Sequence, residues 1–421
     1  MSDHHTVVVG AGLAGLVAAN DLVDAGHRVT VLETRGSAGG RARTDRVDGF
    51  HLNVGPHALY RAGAAATILS AYDIDVPGWD PPQSGSLASD GGRLRVLPVG
   101  PGSMLRSRLL PLRGKVQLGR LLGRLADLDP DALQDVPLSE WIASSISDPA
   151  ARRQLHAVAR LTTYADAPDQ LPAGVVVRQL QLGLEGGVRY VDGGWQTIVD
   201  RLLGRALERG VTFHHASPAR AVERHDGRLV VDADARHEAD AVVLATGPAA
   251  ADRLVAGAGL VEAAGPEVVA SSLDLGLRGE PKRRFVLGID EPLYLSRHAP
   301  GAALAPAGRS LVSVAAYGEP GDLTPQARRQ QLLSFAARTG IAHEQIVTSR
   351  YLHRSVVAAG MPMVERGGMR GRPGVALAGR RGVFVAGDWV GRDGLLADAA
   401  AASGRAAATA ATEHAAQRAP A

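Results

Sequence analysis

The stretch Thr6-Val7-Val8-Val9-Gly10-Ala11-Gly12-Leu13-Ala14-Gly15 decides the fold. A short β-branched run meets a glycine-rich turn, and a helical pattern follows to about Ala25, with Gly26 where a helix stops. A second run, Val29 to Leu32, ends on Glu33. Strand, turn, helix and strand in this order open a dinucleotide-binding βαβ unit. Gly10 permits the tight turn, Gly12 lets a pyrophosphate approach the backbone, and Gly15 lets the helix pack on the strand. The helix start at Leu13 and Ala14 offers free N–H groups and a partial positive charge to phosphates. Glu33 is placed to accept hydrogen bonds from an adenosine ribose, and its carboxylate would repel a 2′-phosphate.

Outward from this unit the texture alternates. From about Ser103 to Val188 the chain is rich in Leu and Arg at helical spacing and is broken by Pro111, Pro130, Pro137, Pro149, Pro168 and Pro172. An α/β texture returns at Val191-Asp192-Gly193-Gly194-Trp195, with a helix through Ile198 to Leu207 and a strand from Val211 to His214. Asp226-Gly227 marks a hairpin, and Ala241 to Ala245 reads as a buried strand. A second insertion follows, with strand-like runs at Phe285 to Leu287, Leu311 to Ala316 and Ile346 to Leu352. Gly382 to Gly387 is a last strand, and an Ala-rich helix runs from about Leu395 to His414. Residues 1-75, 186-251 and 371-421 thus read as one discontinuous cofactor domain, and 76-185 and 252-370 as a substrate domain.

Composition narrows the function. The 421 residues carry a formal net charge of only +3, and no Lys/Arg-rich run argues for nucleic acid. Cysteine is absent, which excludes disulfides and thiolate metal sites, and no histidine pair has metal-ligand spacing. His4-His5 and His214-His215 read as exposed loops or strand ends. Met1-Ser2-Asp3-His4-His5 runs into a strand without a signal-peptide pattern, and no stretch approaches the roughly 18 apolar residues of a spanning helix. The expectation is a cytoplasmic protein acting on a small molecule, with no metal.

Glu33-Thr34-Arg35 followed by Gly39-Gly40-Arg41-Ala42-Arg43 resembles the second signature of the flavin-containing amine oxidase and phytoene desaturase superfamily. Val383-Phe384-Val385-Ala386-Gly387-Asp388-Trp389 is similar to its closing motif, and Tyr190 to Trp195 and Ala241 to Gly247 match in texture. The resemblance implies an α/β fold: a Rossmann-like FAD-binding domain of glutathione-reductase-type topology, carrying an inserted α+β substrate domain. It implies that Gly39, Gly40, Arg41 and Ala42 wrap the FAD pyrophosphate and ribityl chain, and that Asp388, after Gly387, bonds that same region. The helix beginning near Leu395 would point its positive end at the flavin pyrimidine edge, where reduced flavin carries negative charge.

Asn53-Val54-Gly55-Pro56-His57-Ala58-Leu59-Tyr60 resembles the family stretch beside the flavin ring, which marks Gly55 and Pro56 as cofactor contacts and His57 and Tyr60 as catalytic candidates. Many family members carry Asp where this chain has Asn53. The alternative for His57 is a histidine satisfied within a turn. Pro292 to His298 resembles the desaturase-like branch, so Tyr294 and His298 are candidates for the pocket, with core packing as the alternative. The aromatic cage of amine oxidases is replaced here by Leu395-Leu396, and the one candidate for a flavin-side lysine, Lys282, sits in the polar run Glu280 to Arg284.

These departures favour FAD-dependent two-electron dehydrogenation, a desaturation, of a largely apolar molecule by hydride transfer to flavin N5. An amine or amino-acid oxidase is the first alternative, with Arg297 or Arg354 as a carboxylate anchor. A flavoprotein with structural or non-redox FAD is the second, and a plain NAD-binding protein the third. Finally, 104-128 carries Leu118, Leu121, Leu122, Leu125 and Leu128 at helical spacing among Arg106, Arg108, Arg113, Lys115, Arg120 and Arg124. Such a basic amphipathic helix suits an anionic membrane surface, and equally a domain helix with one buried face.

Overall fold

Residues 4–417 are described by the computed structural model, so Met1, Ser2, Asp3 and the last four positions lie outside the described residues. The first strand begins at His5. It lies in a parallel five-stranded sheet ordered Thr212–His214, Arg28–Leu32, His5–Val9, Ala241–Leu244, Val383–Val385. Val8, Val31, Val243 and Phe384 pack on the helices Leu13–Asp24, Gln196–Glu208 and Leu396–Ala416. Val7, Val9, Val242, Leu244 and Val385 pack on the opposite side, against a meander of Ala221–His225, Arg228–Asp232 and Arg236–Ala239. Both faces are covered, so these strands read as unbroken apolar runs. The meander turns at Asp226 and Gly227, with φ of 47° and 81°, the left-handed pair a tight hairpin needs.

Leu396–Ala416 lies across Leu13–Asp24, and its small residues let the two backbones touch. A Cβ at Gly404 would stand 2.3 Å from the carbonyl oxygen of Ala14. Alanine therefore does two jobs here, favouring the helix and permitting the close crossing.

A second sheet has seven strands, ordered Ile346–Ala358, Val268–Arg278, Arg309–Tyr317, Leu293–Ala299, Phe285–Gly288, Leu87–Asp90, Arg93–Val96. Neighbours are antiparallel except Phe285–Gly288 and Leu87–Asp90. The strands within 87–96 come before the Leu/Arg-rich region and carry no period strong enough to stand out in the sequence. Helix Pro325–Arg338 covers one face through Leu332 and Phe335. The other face, with Leu287, Tyr294 and Tyr317, meets the helices Leu112–Gly123, Leu138–Ser145, Pro149–Thr163 and Ala173–Glu185.

Two expectations are corrected. Segment 104-128 is not one helix: Pro101–Arg106 and Leu112–Gly123 flank Pro111, and a 3-10 turn follows at Leu125–Asp127. Its leucine stripe faces inward, with Leu118 and Leu125 buried, whereas the exposed leucines are Leu105 at 84% and Leu112 at 78%. His5 is not exposed either. It is buried between parallel neighbours, with Nε2 2.8 Å from Thr30 Oγ1 and Nδ1 2.6 Å from the Glu238 carbonyl. His214 and His215 are exposed.

Arg350 joins the seven-stranded sheet to the hairpin of Thr44–Val47 and Phe50–Asn53. It pairs with Asp274 at 2.7 Å and Asp45 at 2.9 Å, and donates to the carbonyls of Leu52 and Asn53. Asn53 spends its own Oδ1 on Thr44 Oγ1 and the Trp195 N–H, at 2.7 and 2.9 Å.

Replacing Gly404 by Ala is expected to separate the crossed helices and cost about 1–3 kcal/mol, as overpacked cores do. Thermal unfolding of the two proteins measures this. An unchanged midpoint would show that the crossing carries no strain.

Candidate active site

A cleft of about 890 Å³ runs between the two sheets, at the upper end of ordinary small-molecule sites. At one end lie Gly10, Gly12, Leu13 and Ala14. Gly10, at φ 102°, turns the chain out of the strand, and a Cβ at Gly12 would meet no protein atom within 4 Å. That space is left to a ligand. Gly15 stands behind the loop, where a Cβ would lie 1.9 Å from the Gly10 carbonyl oxygen. Glu33 reaches the cleft with Thr34 and Arg35, its two oxygens fixed at 2.8 Å by the N–H groups of Ala11 and Arg35.

The second glycine motif abuts the first: the Gly39 N–H donates to the Ala11 carbonyl at 2.8 Å. Gly39 and Gly40 have φ of 125° and 55°, a turn that brings Arg41 and Ala42 to the cleft. There Arg41 grips Asp388 with two bonds of 2.6 Å, and Asp388 also accepts the Ala359 N–H at 3.1 Å. Gly387 and Asp388 line the same wall, as do Gly55, Pro56 and His57. Leu395 does not reach this cleft and sits in the helical core, which corrects the expectation for it. Leu396 has φ of 55°, and that turn presents Leu396, Ala397 and Ala400 instead.

Beyond His57 the cleft continues as a chamber walled by Leu118, Leu122, Leu155, Val158, Leu161, Leu180 and Leu287. The charged side chains that line this part of the cleft are Arg284, which is exposed, and Arg297, held by Glu280; its other polar groups are uncharged. The hydroxyls of Tyr164 and Tyr294 meet at 2.9 Å, and Tyr294 stacks on Tyr317 with centroids 5.5 Å apart. Tyr190 and Ser296 hydroxyls meet at 2.7 Å, and Tyr60 also lines the wall. Burial raises the phenol pKa values of Tyr60, Tyr164 and Tyr294, so all stay protonated. His57 sets Nδ1 against the Gly55 carbonyl at 2.9 Å and its ring 5.1 Å from Trp195. Burial, then the nearby charges of Arg41 and Arg350, lowers its pKa, and burial lowers that of His298 to about 3. Both imidazoles are neutral at pH 7.

The structure brings His57, Tyr60, Tyr294 and His298 to one chamber with the glycine motifs. Arg297 borders it but is engaged by Glu280 at 2.5 Å. Arg354 lies elsewhere, paired with Glu319 and Glu267 at 2.8 and 3.2 Å, so it is no carboxylate anchor in this cleft. Lys282 is exposed. Sequence reading missed Trp195, Tyr164 and Tyr190 as wall residues. The Gly193-Gly194 turn before Trp195 was the available signal, whereas nothing local marks Tyr164. Among the described residues no group of His, Asp and Glu is arranged to hold a metal ion, and no helix is long and apolar enough to cross a membrane.

Comparison with known proteins agrees with this layout. The chain is 29% identical over 269 residues to AofH of Mycobacterium tuberculosis, provisionally named a flavin-containing monoamine oxidase. That match covers 58% of this chain and 57% of AofH, so the chain spans little more than half the length of this curated relative. L-amino acid oxidase Lm29 of Lachesis muta is 56% identical over 57 residues, 13% of this chain and 11% of that protein. Among solved structures, an oxidoreductase from Methanosarcina mazei superposes with a TM-score of 0.75 at 21% identity, covering 97% of this chain and 100% of that one. Cyclohexylamine oxidase from Brevibacterium oxydans gives 0.74 at 17% identity, covering 98% and 99%. At such identities the likeness shows the fold alone, a Rossmann-like cofactor domain with a substrate domain. The model of the flavin containing amine oxidoreductases matches residues 13–412, and the chain belongs to that family, whose cofactor is FAD.

Proposed function

We propose that this chain is an FAD-dependent oxidoreductase that dehydrogenates a largely apolar, uncharged small molecule. The residues present fit FAD. Gly10, Gly12, Leu13 and Ala14 would hold the pyrophosphate from the open side of the loop, with Gly15 keeping the helix against the strand. Glu33, Thr34 and Arg35 would meet the adenosine end, and Gly39, Gly40, Arg41, Ala42, Gly387 and Asp388 the pyrophosphate and ribityl chain. Gly55 and Pro56 would flank the ring, and the helix starting at Leu396 would turn its positive end to the pyrimidine edge. When bound, FAD supplies a two-electron acceptor that takes a hydride at N5. On this reading, 1-75, 186-251 and 371-421 carry the cofactor, and 76-185 and 252-370 the substrate.

The observation that carries the substrate class is where the carboxylates are. Those on the cleft wall are Glu33 and Asp388, both at the cofactor end and both already bonded. None lines the chamber beyond His57. An alkylammonium entering it must lose its water without a counter-charge, or lose a proton. Deprotonating an amine of pKa about 10.4 at pH 7 costs about 4–5 kcal/mol. A desolvated contact with an aromatic face of the chamber returns about 2 kcal/mol, short of that cost. An uncharged molecule incurs neither cost, so it wins. The protein's part is to exclude water, to orient the substrate through Tyr60, Tyr294 and His57, and to hold these groups neutral. The amine reading has the names of AofH and cyclohexylamine oxidase in its favour.

A second proposal concerns how apolar substrates arrive. Leu105 and Leu112 are exposed among Arg106, Arg108, Arg113 and Arg120, on segments whose inner face, Leu118 and Leu122, lines the chamber. Peripheral contact with an anionic membrane through 104-128 would bring the chamber wall to the lipid.

Two outcomes are expected. For the FAD-loaded protein at pH 7, perturbation of the flavin spectrum should give decan-1-ol an affinity at least tenfold above that of decylamine. Equal or reversed affinities would favour the amine reading. Flotation should carry the protein with phosphatidylglycerol vesicles but not with neutral ones, and the pair Leu105→Asp and Leu112→Asp should abolish it. No flotation with the anionic vesicles removes the membrane proposal.

A further inference from the structure

The strand Leu293–Ala299 presents Tyr294, Ser296 and His298 to the cleft at alternate positions. Two of the three are satisfied inside the chain. Tyr294 bonds Tyr164 at 2.9 Å and Ser296 bonds Tyr190 at 2.7 Å. His298 differs. It is 4% exposed, its ring lies 4.1 Å from that of Tyr190, and among the described residues its ring nitrogens meet no hydrogen-bond partner.

Position gives this imidazole its meaning. It lines the same cleft as His57, which borders the cofactor end of the chamber beside Gly55 and Pro56, and its ring lies against Tyr190. A polar group that faces an otherwise apolar cleft without a protein partner rewards a ligand that bonds it and penalises one that covers it without a bond. Burial keeps the ring neutral, so one nitrogen donates and the other accepts. Such a group suits a hydroxyl or carbonyl. It suits a plain hydrocarbon no better than leucine would, and it offers a cation no charge.

We propose that His298 binds an uncharged hydroxyl or carbonyl group at the cofactor end of the substrate. The inference rests on reading the chamber as a site for apolar molecules, and it narrows that class from hydrocarbons to alcohols and ketones. His298 then fixes which carbon faces the reacting centre, while the leucine walls take the chain. The tail supplies affinity and His298 supplies register.

The test uses the FAD-loaded protein with decan-1-ol, decan-2-one and decane, reading binding from the flavin spectrum and tryptophan fluorescence. In His298→Phe, which removes both ring nitrogens at similar size, the alcohol and the ketone should weaken about tenfold, with decane within twofold. His298→Asn keeps a donor and an acceptor and should retain much of the discrimination. Equal weakening of all three ligands in His298→Phe would overturn the proposal. A second arm does not depend on how well these variants fold. In wild type, the histidine ¹⁵N resonances that His298→Asn lacks should shift with decan-1-ol and not with decane, and resonances indifferent to both would overturn the proposal. Failure of all three ligands to bind wild type would instead bring down the apolar reading of the chamber, and this inference with it.

Discussion

The pairing of Arg41 with Asp388 is the contact on which the site depends. It joins the second glycine motif to the last strand of the parallel sheet, residues far apart in the chain, through two bonds of 2.6 Å. The Ala359 N–H on the same carboxylate draws in the end of the strand Ile346–Ala358 from the other sheet. Three parts of the fold therefore meet on one side chain that is 3% exposed. A buried carboxylate stripped of its partner is strongly unfavourable, so the two ends of the cleft wall are held in register. Arg350, between Asp45 and Asp274, makes the corresponding tie on the hairpin side.

With the walls fixed, the distribution of charge decides the chemistry. Glu33, Arg41 and Asp388 lie where the proposed cofactor would carry its ribose and phosphates, and they are already bonded to one another or to the backbone. The chamber beyond is lined mainly by leucines, phenols and imidazoles that burial holds neutral, with Arg284 and Arg297 at its border. A low-dielectric room of this kind strengthens every hydrogen bond inside it and penalises any unpaired charge.

Much of the cofactor half was legible in the sequence because its signals are local. A glycine turn after a strand, or a pair of glycines before an arginine, requires backbone angles that few other residues adopt. Where the reading missed, a single torsion or a distant partner was responsible. Leu396 rather than Leu395 reaches the cleft because φ at Leu396 is positive. The leucine stripe of 104-128 turned inward because other helices and the seven-stranded sheet cover it, which no local period reveals. Tyr164 comes from a different segment than Tyr190 and Trp195, and only tertiary packing places it with them. Asp274, a charge inside the apolar strand Val268–Arg278, was a visible irregularity whose partner, Arg350, lies on the neighbouring strand.

The central claim is that the chamber oxidises uncharged molecules rather than amines. Anaerobic mixing of the oxidised, FAD-loaded protein with a series of primary alkyl and aryl amines, followed by flavin absorbance, tests it most directly. The account predicts an oxidised spectrum that persists across the series. Stoichiometric bleaching by any member at a rate compatible with turnover would contradict it.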